Sequence, residues 1–126
     1  MGTKFEFKFK QENSDVNQRK QSSDKIKQQF QDKIPIIVEK DPRAKTLDDI
    51  DKTKYLVPKE ISVTQFSFML RKRLQLKEND AFFLIAKCKY TIMGENTMDD
   101  VYNKYSDKDD GYLYITYTSK EIWGSN

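Results

Sequence analysis

The chain has 126 residues, 37% of them hydrophobic and 34% charged, with a formal charge of +3. That length fits one domain with one core. The charge is too small to announce a nucleic-acid partner, and no RNA-binding aromatic motif or zinc-finger spacing accompanies it. No run approaches the ~18 apolar residues of a membrane span, and there is no signal-peptide core.

Met1-Gly2 is followed by Glu6 where a myristoylation motif wants Ser or Thr. One cysteine rules out an internal disulfide and fits a reducing compartment, so the chain is expected in the cytoplasm. Residues 1–40 carry nine Lys/Arg against six Asp/Glu, residues 41–95 eleven against eight, and residues 96–126 three against six. The basic surplus, with Arg71-Lys72-Arg73 on an expected helix, offers a cationic face to acidic partners or is simply a solvated helix face.

Phe5, Phe7 and Phe9 alternate with Glu6, Lys8 and Lys10, a two-residue period that fits an extended arm as readily as a helix. From Asp15 the chain turns polar, and the four-residue step from Ile26 to Phe30 predicts a surface helix ending near Gln31-Asp32. Ile34-Pro35-Ile36-Ile37-Val38 is a β-branched run and reads as a strand, with Pro35 near its start or on an exposed side. Asp41-Pro42 ends it, and Tyr55-Leu56-Val57 makes a second strand stopped at Pro58. Alternation sends Lys54 and Leu56 to one face of that strand and Tyr55 and Val57 to the other.

Ser62-Val63-Thr64-Gln65 has the form of a capping box, with Val63, Phe66, Leu70 and Leu74 following as the apolar stripe of a core helix. Phe82 to Ile85 reads as a buried strand, and a short helix starts near Thr97 with Val101 and Tyr105 inward. Asp110-Gly111 then turns into a last strand, Tyr112 to Thr118. A hairpin, a crossing helix and a returning strand form the α+β arrangement known as the β-grasp. Gly124 follows two residues before the end, where the lack of a Cβ lets an enzyme approach its carbonyl closely.

Several segments then carry a resemblance. They are Lys33-Ile34-Pro35-Ile36-Ile37-Val38-Glu39-Lys40, Lys54-Tyr55-Leu56-Val57-Pro58, Val63-Thr64-Gln65-Phe66, Leu70-Arg71-Lys72-Arg73-Leu74 and Asp110-Gly111-Tyr112-Leu113-Tyr114-Ile115-Thr116-Tyr117. In this order and spacing the set resembles the autophagy ubiquitin-like modifiers, the group of the GABA-receptor-associated protein and the microtubule-associated light chains, over roughly residues 16 to 124. The resemblance implies a ubiquitin-like β-grasp with a four-stranded mixed sheet and two short N-terminal helices. It implies an arm and helical extension over 1–30, a core over 31–119 and a tail over 120–126.

It further implies that a cysteine protease removes Ser125-Asn126, and that activating and conjugating enzymes then join Gly124 to phosphatidylethanolamine on autophagosomal membranes. The thiols and bases for those steps belong to the partner enzymes. This chain has no histidine and only Cys88, so no enzymatic activity, cofactor or metal site is expected of it. Cys88 itself reads as a small buried residue.

The resemblance also implies binding of cargo receptors through an aromatic-x-x-aliphatic motif, added as a strand beside the second strand. The aromatic pocket would comprise Ile26, Pro35, Ile37, Lys54, Leu56 and Tyr112. The aliphatic pocket would comprise Tyr55, Val57, Pro58, Ile61, Phe66 and Met69, with Arg73 at its rim. Lys33, Lys52 and Lys54 would meet acidic flanks. For Ile37, Phe66 and Val57 core packing is an equal reading, because a pocket wall is also core.

The chain departs from that group at identifiable positions. Asp15-Val16 stands where a Pro-Phe pair is usual, Ser22 replaces a frequent acidic residue, Tyr112 replaces phenylalanine, and Trp123 is larger than the common Tyr or Phe. The competing reading is a non-conjugated adaptor for microtubules or receptor trafficking. Either way a monomer is expected in solution. Phe5, Phe7 and Phe9 among lysines would touch a bilayer once Gly124 carries lipid, or else pack on the domain.

Overall fold

The computed structural model describes residues 5–119; Gly124 and the rest of the expected tail lie outside them. The elements run α1 (Lys8–Glu12), α2 (Val16–Gln29), β1 (Lys33–Lys40), β2 (Lys54–Pro58), α3 (Val63–Arg73), β3 (Phe83–Ala86), β4 (Tyr90–Ile92), α4 (Met98–Tyr105) and β5 (Leu113–Thr118). The strands form one sheet in the order β2-β1-β5-β3-β4, with β1 and β5 parallel and the other pairs antiparallel. This is the mixed β-grasp sheet, with five strands rather than the expected four. The additional strand is β4, paired Leu84 to Ile92 through Ala86 to Tyr90.

Beneath one face of the sheet lies the main core. Val63, Phe66 and Leu70 of α3 meet Ile34, Ile36, Val38, Leu113, Ile115 and Tyr117. The helix starts as its sequence dictates: Ser62 Oγ accepts from Gln65 N–H at 3.0 Å, and Gln65 Oε1 accepts from Ser62 N–H at 2.8 Å. It ends in a Schellman turn, with Leu76 N–H bonded to Arg71 C=O and Gln75 N–H to Lys72 C=O. Gln75 takes φ +57° there, a position glycine usually fills.

Across the sheet sits a smaller cluster of Phe7, Ile37, Tyr112 and Tyr114, with Phe5, Phe9 and Ile26 packed around it. Helix α2 is capped by Asp15, whose side chain accepts from Asn17 N–H, and it ends at Gln29, slightly before the expected boundary. Among the described residues no helix is long and apolar enough to cross a membrane.

Cys88 is exposed, contrary to its expected burial. The reason is the β3–β4 turn: Lys87 and Cys88 both have positive φ, and Lys89 N–H closes on Ala86 C=O. Ala86 pairs with Tyr90, so Lys87, Cys88 and Lys89 form a three-residue hairpin turn whose tip is exposed to solvent.

Candidate functional site

Strand β2 has one neighbour in the sheet, β1, so its other side is an outer edge. The bond from Val38 N–H to Thr53 C=O, 2.8 Å, sets the phase of the ladder. Hydrogen-bonded pairs recur every second residue in an antiparallel pair. Tyr55 and Val57, opposite Ile36 and Ile34, therefore turn their backbone groups toward β1. Lys54 and Leu56, opposite Ile37 and Pro35, turn theirs outward. The missing N–H of Pro35 therefore takes no bond from the β1–β2 ladder, and on its other side β1 pairs with β5 only from Ile36 onward.

The side chains alternate as well: Tyr55 and Val57 are buried, Leu56 is half-buried and Lys54 is exposed. An extended peptide beside β2 would thus find backbone partners at Lys54 and Leu56 and a different apolar surface on each side of the strand.

On the α1–α2 side, Ile26, Ile37 and Tyr112 belong to the smaller cluster, with the Lys54 Nζ 5.8 Å from the Tyr112 ring centre. Pro35 is buried on the same face of the sheet, opposite Leu56 in register. The Tyr112 hydroxyl is 2.7 Å from Ser22 Oγ, so two departures noted in the sequence meet in one hydrogen bond.

On the α3 side, Tyr55, Val57 and Phe66 are members of the main core, and Ile61 packs against it. Tyr55 and Phe66 stand edge to face at 5.9 Å. Met69 is exposed, Pro58 is half-buried, and Arg73 is exposed with Asp51 Oδ1 2.7 Å from its Nε. Burial pushes the Tyr55 hydroxyl pKa up to about 12. Its oxygen has no hydrogen-bond partner among the described residues.

The three lysines expected to meet acidic flanks do not form one patch. Lys33 pairs with Pro58, at the far end of β2 from Lys54, roughly 14 Å along the strand at ~3.4 Å per residue. The Lys33 Nζ lies over Phe30, whereas that of Lys52 lies over Tyr55. Lys52 and Lys54 flank one end of the edge, and Lys33 the other.

Residues that the sequence did not assign to either pocket complete the site. Phe9 of α1 stands edge to face on Tyr112 at 5.1 Å, and Lys54 Nζ is 5.9 Å from its ring centre. Phe7 is buried against Tyr114 at 5.0 Å. The three arm rings thus lie on the domain, the second of the two readings left open above.

Glu39 holds the arm: its Oε1 accepts from Lys8 N–H and its Oε2 from Phe9 N–H, at 2.8 and 3.0 Å. Lys10 Nζ meets Asp107 Oδ2 at 2.8 Å. Helix α2 is pinned by a buried pair, Arg19 Nε to Asp110 Oδ2 at 2.8 Å, to which the Tyr114 hydroxyl donates at 2.6 Å. Ser23 Oγ donates to Asp110 C=O. Gly111 follows with φ +81°, and a Cβ there would lie 2.6 Å from Ser23 Oγ, so this seam requires glycine.

A β-grasp sheet with an open β2 edge between two apolar clusters, and a helical N-terminal extension clamped to its second face, defines a ubiquitin-like protein with an added helical layer. Residues 18–124 match the family described as autophagy protein Atg8, ubiquitin like. The human microtubule-associated protein 1 light chain 3 gamma is 41% identical over 99 residues, 79% of this chain and 67% of that protein. The crystal structure of Trypanosoma brucei ATG8 superposes with a TM-score of 0.76 at 33% identity, covering 84% of this chain and 89% of that one. The chain belongs to the Atg8 family of ubiquitin-like autophagy proteins, which are modifiers rather than enzymes.

Proposed function

We propose that this protein is a lipid-conjugated modifier that recruits motif-bearing cargo receptors and autophagy factors to autophagosomal membranes. In this reading a cysteine protease removes Ser125-Asn126, and activating and conjugating enzymes then transfer the Gly124 carboxyl group to the amine of phosphatidylethanolamine. The conjugate moves from the cytoplasm to the autophagosomal membrane. Family membership supports the conjugation route.

The observation that carries motif binding is the β2 edge. It offers outward backbone groups at Lys54 and Leu56. The aromatic side chain of an extended aromatic-x-x-aliphatic peptide would enter the Tyr112 side, and the aliphatic one the Val57 and Phe66 side. Acidic residues ahead of the motif would face Lys52 and Lys54.

Calorimetry with such a peptide tests this. Truncating a ligand-contacting leucine removes ~1–3 kcal/mol, so Leu56→Ala should weaken binding roughly ten- to a hundred-fold with the melting temperature kept. Equal affinities for wild type and Leu56→Ala would remove the site. Intact mass after incubation with the processing protease tests the tail: loss of a Ser-Asn dipeptide is expected, and Gly124→Ala should block lipid transfer. Normal lipidation of Gly124→Ala would remove Gly124 as the conjugated residue, whereas a wild-type chain that is never lipidated would leave the non-conjugated adaptor as the better reading.

A further inference from the structure

We propose that the aromatic half of the motif site is occupied by the protein's own arm, with Phe9 as the internal ligand, so that an incoming aromatic residue binds in competition with α1. This rests on the motif-binding reading above and adds its regulation.

The starting observation is that this half of the site is closed. Pro35, Ile37 and Tyr112, its expected floor, are all buried, although a binding pocket should show its floor to solvent. Two elements cover them. Helix α2 contributes Ser22 and Ile26, and α1 contributes Phe9. A ligand ring can reach Tyr112 only if one of these yields.

The two elements are held very differently. Helix α2 has fourteen residues and is tied to the β5 turn by the buried Arg19–Asp110 pair and by Ser23. Helix α1 has five residues and none of them is buried. Isolated helices shorter than ~12–15 residues are marginal in water, so α1 exists only through its contacts with the domain. Those contacts are the Glu39 carboxylate, the Lys10–Asp107 pair, Lys10 over the Tyr114 ring, the Phe7 and Phe9 rings, and Arg19 Nη1 donating to Asn13 C=O, with no buried ion pair among them. Elements held so lightly are the first to open. They also have room to move, because a cavity of about 1400 Å³ lies beside the arm, lined by Phe5, Phe9, Glu39, Thr116 and Thr118 among others.

What Phe9 does at this place is what a motif's aromatic residue would do. Its ring meets Tyr112 edge to face, and the ammonium of Lys54 stands 5.9 and 5.8 Å from the two ring centres. Ring on ring with a cation at the rim is favourable chemistry for an aromatic ligand. The arm supplies it from within. A fixed wall would make the opposite prediction, since Phe9 would then stack on the ligand and its loss would weaken binding.

The sign of one mutation therefore decides. A synthetic acidic-Trp-x-x-Leu peptide is titrated calorimetrically into the full chain, wild type and variants. When only a fraction of the protein is binding-competent, apparent affinity falls by that fraction, and removing the competitor restores it. Phe9→Ala should tighten binding by roughly tenfold. Glu39→Gln, which leaves every ring in place and loosens only the arm's anchor, should tighten it by about threefold.

Amide exchange supplies the second readout: the Lys8 and Phe9 amides should exchange faster when peptide is bound to the wild type. Unchanged or weaker binding by Phe9→Ala, or slower exchange at those amides, would overturn the proposal. Leu56→Ala in the same titrations separates the two ideas. If it weakens binding while Phe9→Ala fails to strengthen it, motif binding stands and only the internal ligand falls. If Leu56→Ala binds like wild type, the site itself is wrong and the internal ligand falls with it.

Discussion

On one face of the sheet, α3 lays Val63, Phe66 and Leu70 onto the apolar residues of β1 and β5. On the other, α1 and α2 cover three aromatic rings and Ile37, and are held by Arg19, Asp110, Glu39 and Lys10. The first face is secured by area, a non-directional force spread over many contacts. The second adds to a smaller apolar cluster a few directional bonds made by charged side chains, of which the buried Arg19–Asp110 pair leaves an uncompensated partner when broken. The α3 face should therefore set whether the domain is folded, and the α1–α2 face whether the extension is docked on a folded domain.

The strongest test of that contrast is Phe66→Ala. Phe66 is wholly buried against Tyr55, and truncating such a ring costs about 3–5 kcal/mol. Chemical denaturation should show one transition with a much lower midpoint. A near-neutral Phe66→Ala would mean that α3 is not the foundation of the fold.

Next in size is Asp110→Asn. It removes the charge that Arg19 and the Tyr114 hydroxyl share, and hydrogen bonds to charged groups contribute about 1.5–3 kcal/mol. The loss should be local. Amides of α1 and α2 should exchange faster while those of α3 keep their protection. Equal loss in α3 would show that the two faces form one cooperative unit.

Titration should act on both faces at high pH and on the α1–α2 face first at low pH. Burial pushes the Tyr55 hydroxyl up to about 12 and raises those of Tyr114 and Tyr117 further, Tyr114 with added help from its bond to Asp110. A raised folded pKa gives stability that is complete below the ordinary tyrosine value of about 10 and is lost as pH climbs through the folded value. Base should therefore attack both faces, with tyrosinate absorbance and unfolding appearing together above pH ~10.

Asp107 runs the other way. Burial alone would raise its pKa, but the Lys10 ammonium and the amides of Asp109 and Asp110 outweigh burial and lower it. A lowered folded pKa gives stability that is present above the ordinary carboxylate value and lost as pH falls below about 4. Acid should free Lys10, and with it the arm, before α3 loosens. Ring resonances of Phe9 that stay fixed down to global acid unfolding would contradict this.

The same contrast explains what could be read from the sequence. The α3 face announces itself locally: the box from Ser62 to Gln65, the helical step from Phe66 to Leu70 and the β-branched run of β1 are each legible within a few consecutive residues. The α1–α2 face does not. Helix α1 begins at Lys8 because Glu39, thirty-one residues away, accepts from its amide, and nothing in residues 5–12 carries that information. Phe5, Phe7 and Phe9 were conspicuous, yet their period of two cannot tell an extended arm from rings gathered on Tyr112 and Tyr114. Ser22 and Tyr112 were each visible as departures, while their bond spans ninety positions.

The missed strand β4 has a local cause, and it provides the smallest expected effect. A short hairpin turn usually declares itself by Gly or Asn at the positions that need positive φ. Here the pair is Lys87-Cys88, at φ +55° and +57°, so the hairpin carries no turn signal and its tip is strained. Holding an ordinary L-residue in the left-handed region costs about 1–2 kcal/mol, which Cys88→Gly would relieve. Glycine also widens the unfolded ensemble, which takes back about 0.4–1 kcal/mol. A net gain of about 0.5–1 kcal/mol remains, a rise of a few degrees in Tm for a domain of this size. Cys88 is exposed and lies outside both apolar clusters, so nothing in the packing opposes the change. Motif-peptide affinity should stay constant, because the hairpin lies at the opposite edge of the sheet from β2. A fall in Tm would mean that the thiol makes a contact worth more than the strain it imposes.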